Sequence, residues 1–104
     1  MFVVTIAYRA KNGEEDAVLA LHEDWQRRRP TRIGYSLSWE LLRRTDIPRE
    51  FLFIGHFENQ EAAQAILKNL EQDAWYSRLI SLLEREPTYS QYYRELVVPQ
   101  QQGA

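Results

Sequence analysis

The amino-acid sequence predicts an α+β domain of element order βαββαβ, with a four-stranded antiparallel sheet that carries its helices on one face. Apolar runs rich in β-branched and aromatic residues alternate with segments in which apolar residues recur every three or four positions. Turn and cap residues separate these segments. The length of 104 residues suits one hydrophobic core, and 44% apolar with 27% charged residues is an ordinary globular composition.

The first strand and the first helix are expected within residues 2–29. The segment "FVVTIAYR", residues 2–9, is apolar on both alternating faces and ends at the turn signal "KNG", so it predicts a strand that is covered on both sides. A helix is predicted from about Glu14 to Arg29, because acidic residues begin it, arginines end it and Pro30 follows. Its apolar stripe contains Ala17, Val18, Leu21 and Trp25.

A hairpin is predicted next. The segment "RIGYSLSWELL", residues 32–42, alternates bulky residues such as Tyr35 and Trp39 with small or polar ones, which is typical of a strand. The turn "RTDIPRE" separates it from "FLFIGHF", residues 51–57, a strand with two largely apolar faces.

The crossover to the last strand is predicted as two helical segments. Asn59 is a good cap for the first, and Asp73 is a plausible cap for the second, which Pro87 ends. The segment "TYSQYYRELVV", residues 88–98, predicts the final strand. We expect one domain over residues 1–97 and a flexible tail over residues 98–104.

This element order is the ferredoxin-like pattern. Right-handed crossovers place the first and third strands in the centre of the sheet, and these are the strands that are apolar on both faces. Helices can cover one face only. Because we expect Trp, Tyr and Phe side chains on the uncovered face, we predict a homodimer in which the two sheets face each other.

Composition excludes several classes of function. A net charge of -2 does not favour nucleic acid, and the absence of cysteine excludes disulfides, thiolate metal sites and thiol nucleophiles. No apolar run is long enough to span a membrane and the first residues lack a signal-peptide pattern, so we expect no membrane partner and a cytoplasmic location.

The hairpin and the helix start, "DIPREFLFIGHFENQEAAQAIL", resemble the antibiotic biosynthesis monooxygenase (ABM) family of the dimeric α/β-barrel group. The residues that carry the resemblance are Asp46 and Pro48 in the loop, Phe51 to His56 in the strand, Phe57 after it, and Glu61 with Ala62 in the helix. The resemblance implies a dimeric ferredoxin-like fold and oxidation of a small aromatic or polyphenolic molecule in an apolar pocket, with dioxygen and without a cofactor.

Four residues depart from the pattern of relatives. Phe57 stands where many members have Trp, and Ile66 stands where many have a helix His that ligates haem iron in haem-degrading members. The first strand has Thr5 and Ala7 in place of the Asn of those members. The resemblance therefore does not extend to haem degradation.

His56 is the candidate catalytic residue, with an acid–base or ligand-orienting role as one interpretation and a structural interface role as the other. Alternation places it with Leu52 and Ile54, but the long hairpin loop leaves the side of the sheet open. His22 is expected to be structural, and two isolated histidines predict no metal site. The candidate substrate-pocket residues are Trp39, Trp75, Tyr76, Tyr8 and Tyr35.

Two other functions remain open on the same scaffold. One is a non-catalytic module for ligand binding or assembly. The other is a small isomerase or lyase that uses His56 as its base.

Overall fold

The computed structural model describes residues 1–28, 38–71 and 73–98 of the chain. Its elements follow the predicted order: β1 (Phe2–Arg9), α1 (Glu15–Arg28), β2 (Ser38–Arg43), β3 (Glu50–Phe57), α2 (Gln60–Glu71), α3 (Ala74–Ser81) and β4 (Thr88–Tyr93). The strands form one sheet in the order β2-β3-β1-β4, with antiparallel neighbours. The predicted α+β, ferredoxin-like architecture is confirmed, with β1 and β3 in the centre.

The register of β1 on β3 divides the sheet into two faces. Val4 pairs with Gly55 and Ile6 pairs with Phe53, so these side chains share the face that packs against the helices. Val3 pairs with His56, which places both on the opposite face. We call that opposite side the open face, because the helices do not pack against it.

Most aromatic side chains of the sheet point toward the helices, which corrects the expectation that they cover the open face. The rings of Phe2, Phe51 and Phe57 are buried in the core, and Trp39 packs against it. Tyr92 lies on the open face, opposite Val3. The reason is the register of β3, which turns its phenylalanines toward the helices and leaves the aliphatic Leu52 and Ile54 on the open face.

The helices begin at the predicted caps. The Asn59 side chain accepts a hydrogen bond from the Ala62 amide at 2.9 Å, and the Asp73 side chain accepts one from the Trp75 amide at 2.8 Å. In α1, Val18 is fully buried and Leu21 and Trp25 are 4% and 8% exposed, so the predicted stripe faces the core.

Two elements end earlier than predicted. Helix α3 stops at Ser81 instead of continuing to Pro87, because Leu83 forms a bridge with Ala10 and the Glu84 amide donates to the Arg9 carbonyl at 2.7 Å. Strand β4 stops at Tyr93, which pairs with Phe2 at the start of β1, and beyond it a single backbone hydrogen bond, from the Arg94 amide to the Met1 carbonyl, continues the pairing. The first half of the predicted second strand, with Tyr35, lies outside the described residues.

Among the helices that the structure describes, none has the length and apolar character needed to cross a bilayer.

Gly55 leaves space for two core rings. A Cβ atom there would lie 3.0 Å from Cε1 of Phe53 and 3.1 Å from Cε2 of Phe57. We therefore expect Gly55→Ala to lower the free energy of unfolding by about 1–2 kcal/mol, as overpacking of a core does, measured by urea denaturation.

The control is Gln64→Ala, at an exposed position of α2, where we expect the unfolding midpoint to stay close to the native value. Equal unfolding midpoints for Gly55→Ala and the native chain would contradict the tight packing at Gly55.

Candidate functional site

A buried histidine of α1 lies at the centre of the aromatic residues between sheet and helices. His22 is 3% exposed, and its Nδ1 lies 2.8 Å from the Val18 carbonyl oxygen. Because a carbonyl can only accept, Nδ1 carries the proton and Nε2 is left with a lone pair. The Tyr8 hydroxyl lies 3.4 Å from Nε2 and donates to it. The backbone of α1 therefore selects the tautomer of His22.

Burial sets the charge of this pair. It lowers the pKa of His22 below its usual value of 6.5, with the Val18 hydrogen bond acting weakly in the other direction. Burial also raises the pKa of Tyr8 well above its usual value of 10.0, and the nearby Tyr89 and Tyr76 add to this increase. Near neutral pH the site therefore contains a neutral imidazole, whose Nε2 accepts a long hydrogen bond, and a protonated phenol that donates it.

Four rings surround the imidazole of His22. The Trp75 ring lies 5.2 Å away in a T-shaped arrangement, and the Tyr8, Trp39 and Phe53 rings lie 5.6, 6.0 and 6.3 Å away. Trp39 also stacks on Phe53 at 5.6 Å. The environment of His22 is therefore aromatic and apolar.

Two spaces adjoin His22. A cleft of about 600 Å³ lies between α1 and β2, with Leu19, Trp39 and Leu41 on its apolar wall and Glu23, Gln26, Arg27 and Ser38 as its polar residues. An interior cavity of about 30 Å³ lies between the sheet, α1, α2 and α3. Among the described residues, His22 alone lines both. We call these two spaces the cleft and the interior cavity.

The two tryptophans of the predicted pocket differ in whether their indole N–H has a hydrogen-bond acceptor. Trp75 Nε1 donates to the Leu21 carbonyl at 2.6 Å, so its donor is used within the fold. Trp39 Nε1 is buried, and within the described part of the chain it has no acceptor. An unsatisfied buried donor costs roughly 1–3 kcal/mol. Of these two indoles, the one of Trp39 therefore has an N–H group that can donate to a bound molecule.

The structure brings together three predicted pocket residues and separates the predicted catalytic residue from them. Tyr8, Trp39 and Trp75 surround His22, and the Tyr76 hydroxyl is hydrogen-bonded to that of Tyr89 beside them. Tyr35 lies outside the described residues.

His56 occupies the open face, on the other side of the sheet from His22 and its aromatic neighbours. Its Nδ1 lies 2.9 Å from Nη2 of Arg94, which donates to it. The catalytic role expected of His56 stays a prediction, and the structure places its ring apart from Tyr8, Trp39 and Trp75.

The sequence does contain a signal for His22. It follows Val18 by four positions and precedes Trp25 by three, so it belongs to the buried stripe of α1. A polar residue inside such a stripe needs a hydrogen-bond partner. The partner on β1, Tyr8, is visible only once the fold is known.

No group of three or more His, Cys, Asp or Glu side chains within residues 1–28, 38–71 and 73–98 is arranged to hold a metal ion.

The buried neutral His22 makes stability depend on pH. Its folded pKa lies below the unfolded value, so both states are neutral above about pH 6.5 and stability is independent of this group there. As the pH falls below 6.5, the unfolded chain takes up a proton that the folded chain does not, and stability decreases. We expect the decrease to be no steeper than about 1.4 kcal/mol per pH unit.

Urea denaturation between pH 7.5 and 5 would measure this dependence in the native chain, in His22→Gln and in the control His56→Gln. We expect His22→Gln to flatten it relative to the other two. Parallel curves for all three chains would show that His22 does not titrate in this way.

Solved structures share this fold at low sequence identity. One is a protein of unknown function from Nitrosomonas europaea, with a TM-score of 0.76 and 18% identity over 96% of this chain and 94% of that one. A mutant of SnoaB, a cofactor-independent oxygenase from Streptomyces nogalater, has a TM-score of 0.74 and 13% identity over 95% and 98% of the two chains. An antibiotic biosynthesis monooxygenase has a TM-score of 0.67 and 20% identity over 95% and 100%.

These identities support the fold only. A search of curated proteins gives no significant match. The sequence profile of the family described as antibiotic biosynthesis monooxygenase matches residues 1–78, which include every described element from β1 through α2 and the first part of α3. The chain therefore belongs to the antibiotic biosynthesis monooxygenase family.

Proposed function

We propose that this protein is a cofactor-independent monooxygenase that binds a small aromatic or polyphenolic molecule in the cleft and oxidises it with dioxygen. The observation that carries the proposal is the neutral imidazole of His22, which lies among aromatic rings and lines the cleft between α1 and β2. Membership of the ABM family supports the reaction class. His22, rather than His56, is the proposed base, because Tyr8, Trp39 and Trp75 surround it.

Size favours the cleft as the substrate site. Pockets for small organic molecules usually measure about 300–1,000 Å³, and the cleft of about 600 Å³ falls within this range. Its apolar residues suit a flat ring system, and its polar residues, such as Gln26 and Arg27, suit hydroxyl groups. The Trp39 indole N–H, which has no acceptor among the described residues, would donate to a substrate oxygen.

The proposed chemistry begins with removal of a proton. His22 Nε2 gives up its long, weak contact of 3.4 Å with the Tyr8 hydroxyl and takes the proton of a substrate phenol. The electron-rich phenolate then reduces dioxygen. For a ring CH₂ group the net change is CH₂ + O₂ → C=O + H₂O, in which one oxygen atom enters the product and the other leaves as water.

A non-catalytic ligand-binding or assembly module is the second candidate. The observation that favours it is the interior cavity, which at about 30 Å³ is too small for an aromatic ring, so no substrate-sized space lies between Trp75 and Tyr8.

Oxygen consumption with a panel of hydroxylated anthrones and quinols tests the enzymatic proposal. We expect uptake by the native protein, with kcat lowered about 10²-fold or more in His22→Gln because the base is lost. The control His56→Gln is expected to keep a rate close to the native one.

If only His56→Gln loses oxygen consumption, His56 and not His22 is the base. If the native protein consumes no oxygen with any member of the panel but still binds them, the non-catalytic module is supported instead.

We also propose a homodimer that covers the open face. Val3, Leu52 and Ile54 lie there on the two central strands, and Leu42 and Tyr92 are 44% and 53% exposed. An apolar patch of this kind marks an association surface. In the dimer His56 and Arg94 become interface residues.

Mass measurement at micromolar concentration tests this proposal. We expect the native chain to be dimeric and Ile54→Asp to be monomeric, because a carboxylate would be buried without a partner between the sheets. Asn69→Asp places the same group on the exposed surface of α2 and serves as the control. A monomeric native chain would refute the dimer.

A further inference from the structure

The interior cavity is lined almost entirely by apolar and aromatic side chains. Aliphatic and aromatic side chains from both central strands and from three helices surround its volume of about 30 Å³. The walls are formed by Val4, Ile6, Tyr8, His22, Trp25, Phe53, Phe57, Ile66, Leu67, Leu70 and Trp75. The cavity lies next to His22, which also lines the cleft.

The polar groups at this cavity are mostly engaged with the protein itself. His22 uses Nδ1 on the Val18 carbonyl and Nε2 on the Tyr8 hydroxyl, and the Trp75 indole donates to the Leu21 carbonyl. The Tyr8 oxygen keeps an acceptor site. A buried water needs two to four polar partners, so these groups stabilise a water poorly. An apolar molecule has no hydrogen bonds to lose when it moves from water into the cavity.

Size restricts the occupant to a very small molecule. A cavity of about 30 Å³ exceeds the roughly 10–15 Å³ that one water needs and is far below the roughly 300 Å³ or more of pockets for small organic molecules. An aromatic substrate does not fit, whereas a diatomic gas does. Dioxygen is apolar and diatomic, and the reaction proposed for this protein consumes it.

We infer that the interior cavity is a binding site for dioxygen, next to the substrate in the cleft. The role of this site rests on the proposed function. His22 lines both spaces, and Phe53, at the cavity, stacks on Trp39, at the cleft. Dioxygen held there is separated from the substrate by a layer of aromatic side chains. Dioxygen then passes this layer into the cleft, takes an electron from the phenolate, and the resulting superoxide combines with the ring-carbon radical to form the C–O bond. The peroxide takes back the proton from His22 and loses water, which leaves C=O, and no metal or flavin is needed.

Helix α2 supplies the wall that can be changed most simply. Ile66, Leu67 and Leu70 line the cavity from α2, and Ile66 is half-buried. A larger side chain at Ile66 would fill the cavity from the helix side. Such a change leaves His22, Trp39 and the cleft in place.

Nuclear magnetic resonance of methyl groups tests the site directly, because dissolved dioxygen is paramagnetic and accelerates the relaxation of nearby nuclei. We expect the methyl groups of Val4 and Ile6, which line the cavity and are 0% and 2% exposed, to relax several-fold faster under oxygen pressure than those of Val18 and Leu79. Val18 and Leu79 are 0% and 1% exposed but do not line the cavity, so burial is matched. Equal enhancement at the two sets of methyl groups would overturn the inference.

The variant Ile66→Phe tests the role of the site in turnover. We expect it to remove the excess relaxation and to raise the KM for dioxygen about tenfold, which is the effect of a misfit in an apolar pocket. Affinity for the aromatic substrate in the cleft is expected to stay unchanged. The control Ile80→Phe enlarges a half-buried isoleucine of α3 that does not line the cavity.

A folded Ile66→Phe chain with the native KM for dioxygen would overturn the inference, even if oxygen consumption itself is established. If the native protein consumes no oxygen and the methyl effect is still present, the proposed function fails and the dioxygen site stands. If Ile66→Phe does not fold, the comparison of methyl groups in the native chain decides.

Discussion

The antiparallel pairing of β1 with β3 is the constraint on which the rest of the structure depends. With Val4 opposite Gly55, the phenylalanines of β3 point toward the helices and His56 points away. A shift of one residue would exchange the two faces of β3. The same register therefore decides which rings surround His22 and which side chains remain on the open face. The site and the proposed dimer surface are two results of one pairing.

The imidazole of His22 shows how a helix can prepare a chemical group. The Val18 carbonyl, one turn earlier, accepts the proton of Nδ1 and so directs the lone pair of Nε2 toward Tyr8. Burial then keeps the ring neutral. Neither effect needs a charged partner. Since a charged buried group would need compensation by another charge, the neutral state is the one that an apolar pocket tolerates.

Much of the fold could be predicted from local sequence, because caps and alternation act over a few residues. The bounds of β1 and the caps Asn59 and Asp73 are of this kind. The end of α3 depends on the bridge between Leu83 and Ala10, which are far apart in the chain, and no local pattern reports it.

The candidate site could be predicted only in part, for the same reason. Aromatic residues such as Trp39 and Trp75 stand out in the sequence, but the side of the sheet that His56 faces follows from a register that the hairpin loop does not specify. Ile66, notable in the sequence because relatives often have His there, lines the interior cavity in the structure. Its aliphatic side chain keeps that cavity apolar.

The central place of β1 has a consequence for how the chain folds. Phe2 pairs with Phe57 on one side and with Tyr93 on the other, so the strand that begins the chain can be completed only by segments that come much later. Closing such large loops costs entropy before any strand contact is gained. Folding that depends on contacts between distant segments is slow compared with that of helical bundles. The backbone hydrogen bond from the Arg94 amide to the Met1 carbonyl, 2.9 Å long, extends this pairing to the first residue of the chain. The edge strand β4 is therefore expected to join the sheet late.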